Sequence, residues 1–335
     1  SDVYKRQVFA LEHYNPLNMI RAFGENGINP VYISVKRRYE VACRSKYISK
    51  LHRVDSVEEG YKLLMEEYGN MEKKPYIVFS DDKSVGYFDL HYDEWKDKFI
   101  TYNAGRVGRI NEFMDKYNIQ QLAKKHGFNV LDSYVIGKED PLPEQLWYPI
   151  ITKDISPNSG SWKGDVFVCQ NEEELKESIK KITSPLIMIQ HFVDKQNEMA
   201  LEGYTINRGK DMQIITQMTW KYLIQGYYSP FHNVCMFTDK EMEHKLQAMF
   251  EEIGFEGVFE VEFLIDKDGT FYFMETNFRA SAWNPTCKFA GMPLDYLWVK
   301  GMENGYIDPA DRRVFEPFTS MSEVIDYGKR VAVSY

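Results

Sequence analysis

The sequence predicts an N-terminal parallel α/β lobe followed by mixed α+β lobes, and three observations support this. Between residues 8 and 108, apolar runs of strand length alternate with amphipathic runs of helix length, as in a parallel sheet with crossover helices. From Tyr148 the pattern becomes strand, glycine-containing loop, strand, helix, strand, and after Asp194 several antiparallel-looking strands follow. The third observation is "FEVEFLIDKDGTFYFMETNFRAS", residues 259 to 281, where two β-rich arms flank Asp268-Gly269, a strong hairpin signal.

The elements read in order as follows. "QVFALEHY" is a buried strand and "NPLNMIRAFGENG" a helix stopped by Gly27. "INPVYISV" is a second strand, and the helix "SVEEGYKLLMEEYG" precedes the strand "PYIVFS". The opening "SDVYKRQ" resembles a translated sequencing adapter and is set aside, so the native strand is expected to begin near Val8. No GxGxxG follows the first strand, which argues against a dinucleotide site there. "INEFMDKYNIQQLAKKHGFNV" reads as one amphipathic helix ended by Gly127, and "GKEDPLPEQLWYP" as a surface connection. "DKEMEHKLQAMFEEIG" is a further helix. Residues 301 to 335 are polar and mixed, and "RVAVSY" reads as an unfinished strand with more native chain expected after it. There are no internal repeats.

Composition narrows the function. With 335 residues and 44% hydrophobic content, the chain can fill two or three cores. A net charge of −9 and the lack of a Lys/Arg tract argue against nucleic acid as a partner. The four cysteines (Cys43, Cys169, Cys235, Cys287) are widely spaced, which suits a reducing cytosol and gives neither a disulfide framework nor a zinc site. No run of 18 apolar residues or signal-peptide pattern occurs, so a cytoplasmic protein without a membrane span is expected.

The hairpin carries the chemistry. With Asp268-Gly269 as a two-residue turn, Lys267 pairs with Thr270 and Glu262 falls opposite Glu275. Asn277 and Arg279 then share the face of Glu275. Two like charges opposite each other destabilise a ladder unless something compensates, and a hard cation is the compensation expected. Glu262, Glu275 and Asn277 are therefore the candidate metal ligands. Upstream, Lys153 ends an apolar strand, and a small-residue loop from Ser156 to Gly164 carries Ser159, Gly160, Ser161 and Lys163. Such loops let backbone N–H groups approach phosphate oxygens, and lysine adds a point charge. The plain alternative is an exposed hairpin with two solvated lysines. Gln190, His191, Phe192 and Val193 end another apolar strand, with Glu198 entering the next; taken alone, this is a generic structural turn.

The order of these parts resembles the ATP-grasp superfamily over about residues 110 to 300, and "MDKYNIQQLAKKHGF" resembles its linker helix. Within the superfamily, "FYFMETNFRASAWNPTCKFAGMPLDYLWV" looks most like the carbamoyl-phosphate-synthase-like amide ligases, including the D-aspartate ligases. The resemblance implies a pre-ATP-grasp α/β domain over 8–108, a linker helix and first ATP-grasp lobe over 109–190, a second lobe with the metal site over 191–300, and a C-terminal segment over 301–335. It also implies roles. Lys153, Lys163 and the Ser159–Ser161 backbone hold ATP phosphates under a loop that closes over them. Gln190 to Val193 line the adenine pocket, and Glu198 binds ribose. Glu262, Glu275 and Asn277 bind two Mg²⁺ ions, for which Mn²⁺ can substitute, and Arg279 and Lys163 act at the reacting group. Two departures stand out. Gln190 replaces the Glu of many relatives, and Ala280-Ser281-Ala282 replaces a more polar stretch in the D-aspartate ligases, which leaves the acceptor open.

The expected activity is an ATP-dependent carboxylate–amine ligase that forms an amide through an acyl phosphate. Its partners are small-molecule carboxylate and amine substrates, the acid a small polar amino acid, the amine on a cell-envelope precursor or small metabolite, with a homodimer compatible. The alternatives are a nucleotide-binding protein without ligase activity and a bicarbonate-phosphorylating carboxylase or carbamoyl-phosphate-forming enzyme. His191 and His232 are read as structural, Tyr227, Tyr228 and Trp283 as packing residues, and Glu260 as a supporting or solvated residue. Lys221 and "NAGRVGRI" (103–110) are weaker substrate-contact candidates.

Overall fold

The computed structural model describes residues 6–11, 14–35, 40–155, 165–221 and 231–321. Ser159, Gly160, Ser161 and Lys163, expected to form a phosphate loop, as well as Tyr227, Tyr228 and the final "RVAVSY", lie outside the described residues.

The first lobe is built from β1 (Arg6–Leu11), α1 (Tyr14–Glu25), β2 (Val31–Val35), β3 (Lys50–Val54), α2 (Val57–Tyr68), β4 (Tyr76–Phe79) and α3 (Asp82–Leu90). Its four strands are parallel in the order β3-β2-β1-β4, the arrangement that alternating strands and helices favour. Ser56 and Asp81 cap α2 and α3 by accepting from Glu59 N and Ser84 N. β1 begins at Arg6, two residues before the expected start, so the segment set aside contributes Arg6 and Gln7 to the sheet. The half-exposed strand β3 has too little apolar pattern to have been expected.

A short α4 (Tyr92–Trp95) leads to α5 (Arg109–Met114) and α6 (Lys116–Lys125). The sequence predicts a single helix here, and the chain breaks it at Asp115. That residue is extended and caps α6 by accepting from Tyr117 N and Asn118 N. Capping energy competes with continued apolar periodicity, and the break turns Lys116 into the first residue of a new helix.

The second lobe contains β5 (Ser133–Gly137), β6 (Ile150–Asp154), β7 (Val168–Cys169), α7 (Glu172–Lys181) and β8 (Leu186–His191). They form an antiparallel sheet in the order β5-β8-β6-β7. The third lobe follows with β9 (Lys195–Ile206), β10 (Asp211–Lys221), β11 (Phe231–Cys235), α8 (Lys240–Ile253), β12 (Gly257–Asp266), β13 (Phe271–Asn277), α9 (Pro285–Phe289), α10 (Leu294–Asn304) and β14 (Phe318–Met321). Its six-stranded sheet runs β13-β12-β9-β10-β11-β14. The first and third lobes share one continuous apolar core, whereas the second lobe packs around its own cluster of Ile136, Ile150, Cys169, Leu175, Ile182, Ile187 and Ile189.

The β12–β13 hairpin differs from the expected register in two places that offset each other. The turn has three residues, not two. Asp266 N bonds Thr270 O, and Lys267, Asp268 and Gly269 form the loop, with Gly269 at φ +80°. Asp266 Oδ1 also accepts from Asp268 N and Thr270 N, closing the turn from within. Ile265 therefore pairs with Phe271 and Phe263 with Phe273. The ladder then shifts by one residue at Met274, and Glu262 lands opposite Glu275 as expected. A bulge leaves backbone groups outside the ladder, and Met274 O accepts from Gln120 Nε2 of α6 at 2.8 Å. Gln120 Oε1 in turn accepts from Gln190 Nε2 of β8 at 2.9 Å.

Gln120→Leu should therefore leave Gln190 Nε2 and Met274 O buried without partners, each costing about 1–3 kcal/mol. Urea denaturation should show a loss of about 2–4 kcal/mol. A midpoint equal to wild type would mean that the bulge does not depend on this contact.

Candidate active site

Side chains alternate across β12 and β13, so Val261, Phe263 and Phe273 enter the core while the intervening residues face the second lobe. Two rows of side chains result. Ala200, Glu262 and Glu275 lie side by side on β9, β12 and β13, and the neighbouring row is Glu202, Glu260 and Asn277. Glu198 shares this face one step further along β9, where Leu264 is its cross-strand partner. Asn277 Nδ2 donates to Glu260 Oε2 and to Glu262 Oε1, both at 3.0 Å. Glu260, read from sequence as supporting or solvated, is buried and hydrogen-bonded to Asn277 of the expected metal-ligand triplet, which fits only the supporting role.

Cations from three elements reach this face. Lys116 Nζ is 2.8 Å from Glu275 Oε2, placed there by the start of α6. Lys153 Nζ donates to Gln190 Oε1 at 2.9 Å. Arg279 Nη2 donates to Asn277 Oδ1 at 3.2 Å, Nη1 lies 3.6 Å from Glu260 Oε2, and Nε lies 3.2 Å from Asp82 Oδ1 at the start of α3. The first lobe thus supplies a carboxylate to the site.

The electrostatics follow from burial and proximity. Burial, Glu260 and Glu275 together push the Glu262 carboxyl well up. Burial, with Glu202 beside it, pushes Glu260 up to about 8. Glu275 is the exception: burial opposes its charge, but Lys116 above all, then Lys153 and Arg279, hold it below the usual carboxylate range. Burial lowers the Lys153 ammonium to about 8 despite the pull of Glu275 and Glu262.

Among the described residues no group of three or more His, Cys, Asp or Glu side chains forms a metal cage. Glu262, Glu275 and Asn277 instead offer two carboxylates and an amide oxygen. That is an all-oxygen set of the kind Mg²⁺ uses when phosphates and water complete its shell. The two glutamates, opposed and partly buried, fit a divalent cation on charge as well.

The expected hinge residues divide between the two faces of the second-lobe sheet. Gln190 is buried, and its amide is engaged by Lys153 and Gln120, so it holds Lys153 in place. His191 N and Phe192 N donate to the carbonyls of Asp132 and Pro149, which commits both N–H groups within the lobe. The His191 ring points to the opposite face, where Nδ1 donates to Trp147 O at 3.2 Å. A cavity of about 220 Å³ opens on that side, lined by Tyr134, Trp147, Ile150, Ile189 and His191 among others. The acidic face is not part of it. Val193 follows in the irregular connection to β9, and Glu198 Oε1 accepts from Lys195 Nζ at 2.6 Å.

Of the weaker candidates, the 103–110 segment packs against α8 through Arg109, which donates to the carbonyls of Glu252 and Ile253. Lys221 alternates with Trp220 and so faces away from the carboxylates. Sequence reasoning missed Lys116, Gln120 and Asp82. Asp115 was a readable cap signal for the first two, whereas nothing local marks Asp82.

The fold is that of the ATP-grasp proteins, an α/β lobe ahead of two further lobes, one of which carries the acidic face. No family model matches the chain. A D-alanine--D-alanine ligase from Fusobacterium nucleatum subsp. nucleatum is 28% identical over 172 residues, 49% of this chain and 55% of that protein. An N5-carboxyaminoimidazole ribonucleotide synthase from Staphylococcus haemolyticus is 26% identical over 171 residues, 50% of this chain and 44% of that protein. The chain spans about half the length of these curated relatives. Among solved structures, the ADP complex of purK, an N5-carboxyaminoimidazole ribonucleotide synthetase, superposes with a TM-score of 0.73 at 13% identity, covering 98% of this chain and 85% of that one. No helix among the described residues is long and apolar enough to cross a membrane.

The Lys153 ammonium sets a pH dependence. It is charged below about 8 and neutral above, and a bound phosphate raises its pKa by opposite charge. If Lys153 holds a nucleotide phosphate, ATP affinity should therefore be complete below pH 8 and fall as pH rises from there to the bound-state value. Calorimetric titration should show a loss of about tenfold per unit across that window. Lys153→Arg should flatten the profile, and an unchanged slope would remove Lys153 from the phosphate site.

Proposed function

We propose that the chain is an ATP- and Mg²⁺-dependent carboxylate–amine ligase that forms an amide through an acyl phosphate, with a small amino acid or similar carboxylate as the acid. The observation that carries this reading is the Glu262–Glu275 pair, flanked on one face by Asn277, Lys116, Lys153 and Arg279. The name of the D-alanine--D-alanine ligase supports an amino-acid substrate, and the ADP complex among the structural neighbours supports the nucleotide.

A carboxylate is a poor acyl donor until one of its oxygens becomes part of a leaving group. Attack of that oxygen on the γ-phosphorus of ATP forms the O–P bond and releases ADP. An amine then attacks the carbonyl carbon, and phosphate leaves with the C–O bond electrons while the nitrogen gives up its proton. Phosphoryl transfer needs charge neutralisation and alignment more than covalent help. Lys153 and Lys116 supply point charges to the phosphates, and the resemblance adds Lys163 and the Ser159–Ser161 N–H groups to that role. Glu198 takes the ribose. Because the N–H groups of His191 and Phe192 are committed, the hinge meets the adenine edge through Val193 and main-chain carbonyls. Glu262, Glu275 and Asn277 would hold two Mg²⁺ ions, which shield the phosphates and align them when bound. Arg279, fixed by Asn277 and Asp82, would stabilise the negative charge that develops on the acyl carbon's oxygen.

Glu275→Gln removes charge with little change in volume. It should lower ADP formation by about two orders of magnitude or more while the fold persists. The assay traps the acyl phosphate with hydroxylamine across D- and L-amino acids, dicarboxylates, bicarbonate and fatty acids. Near-normal ADP formation by Glu275→Gln would make the carboxylate pair structural. ADP release that depends on bicarbonate alone would move the chain to the bicarbonate-phosphorylating class.

A further inference from the structure

The acidic face continues across the sheet into an aromatic region that the chemistry above does not use. Met218 of β10 lies opposite Ala200 on one side and Val234 of β11 on the other, and one step along, Trp220 lies opposite His232. His232 in turn lies opposite Ser320 of β14. By alternation all of these share the face of Glu262. Trp283, six residues after Asn277, closes over them. Its ring centroid is 3.8 Å from that of His232, and Trp220 meets His232 at 4.9 Å with ring planes at 85°.

His232 is fully buried, and neither ring nitrogen has a hydrogen-bond partner among the described residues. The same holds for Ser320 Oγ beside it. Each such group costs about 1–3 kcal/mol when left unmade. An apolar side chain would fill the same space between two indoles without that cost, and the neighbouring Met218 and Val234 show that the region accepts one. The arrangement therefore suits a ligand that supplies the missing bonds. A neutral imidazole offers one donor and one acceptor, and burial keeps this one neutral by pushing it down to about 4. Its best complement is an uncharged planar group that both donates and accepts, and the indole rings suit a flat partner. A carboxamide meets both demands.

Position decides which substrate brings it. From β12 to β11 is three strand spacings, about 14 Å, whereas one extended residue covers about 3.5 Å. A small acid with its carboxyl at the metal pair cannot reach the box. An amine substrate of two residues spans about 7 Å along its backbone and reaches the box only when its second residue extends a long side chain toward it.

We propose that Trp220, His232, Trp283 and Ser320 form a binding site for the remote end of the amine substrate, selecting an uncharged carboxamide-bearing group. This rests on the ligase reading of the acidic face. Two indoles in the box provide a direct readout by intrinsic fluorescence with the whole chain. Titration with glycyl-glutamine should change Trp emission saturably, while glycyl-leucine should bind at least tenfold more weakly. His232→Leu should abolish the difference between the two peptides and raise or preserve the melting temperature, since it removes an unpartnered imidazole. In ADP-release assays its KM for glycyl-glutamine should rise at least tenfold, with the KM for ATP held. Equal binding of the two dipeptides to the wild type, or a His232→Leu variant that still discriminates, would overturn the proposal. If His232→Leu lowers the melting temperature and raises both KM values together, the imidazole is structural and the proposal fails. Hydroxamate formation from acid, ATP and hydroxylamine needs no amine substrate. Its absence in the wild type would remove the ligase reading while the fluorescence result stands by itself.

Discussion

The site depends on one hydrogen bond, from the Gln120 side chain to the carbonyl of Met274. A hairpin closed by the three-residue loop at 267–269 has a register one residue away from the one that opposes Glu262 and Glu275. The bulge at Met274 restores it, and the carbonyl freed there is satisfied from α6. A one-residue slip would turn a buried carboxylate into the core and a phenylalanine onto the acidic face. The same Gln120 amide reaches Gln190, whose other end holds Lys153. Four side-chain and main-chain groups thus fix the register of the carboxylates and the position of a lysine on another lobe.

That connection matters because the second lobe has no share in the core of the other two. Its attachments to the rest include two hydrogen bonds, Gln190 to Gln120 and Lys116 N to Ile155 O. A separate core is what a lobe needs if it is to shift against its neighbours as a unit. The cations follow the same division, with Lys153 on the second lobe, Lys116 on the linking helix and Arg279 on the third lobe, pinned by Asp82 of the first. The acidic face is therefore complete only when all the parts are assembled.

Much of this was legible from residues alone. The alternation of Glu260, Glu262, Glu275, Asn277 and Arg279 with apolar neighbours gave a polar face, and the opposition of Glu262 to Glu275 was correct. It was correct through two errors that cancel, since neither the third turn residue nor the bulge leaves a local signature. The single-helix expectation over 110–130 failed because apolar periodicity runs straight through Asp115, and so Lys116 looked like an ordinary helix-surface lysine. Asp82 and Gln120 were invisible for another reason: their partners lie 197 and 154 residues away in the chain. The Gln190 substitution, which looked like a weakened adenine contact, turns out to place a neutral amide between Lys153 and Gln120. A glutamate there would bind Lys153 but would have no N–H to give to Gln120.

One sheet thus carries two environments on one face, and the strand order explains how. Carboxylates concentrate on β13, β12 and β9, where arginine and lysines from other elements can reach them. Beyond β9, the side chains turn to Thr216, Met218, Trp220, Val234 and His232, and α9 with Trp283 lies over them. Ser281 links the halves: its Oγ donates to Glu202 and accepts from Trp283 N at 2.9 Å. Glu202, whose Oε2 is buried without a partner among the described residues and whose carboxyl burial pushes up to about 8, marks the boundary. Charge falls along the face from a pair that calls for a divalent cation, through a carboxyl that burial tends to neutralise, to an uncharged imidazole. A face graded in this way can hold a polyanion at one end and an uncharged group at the other, as joining a phosphorylated acid to a neutral-ended amine requires.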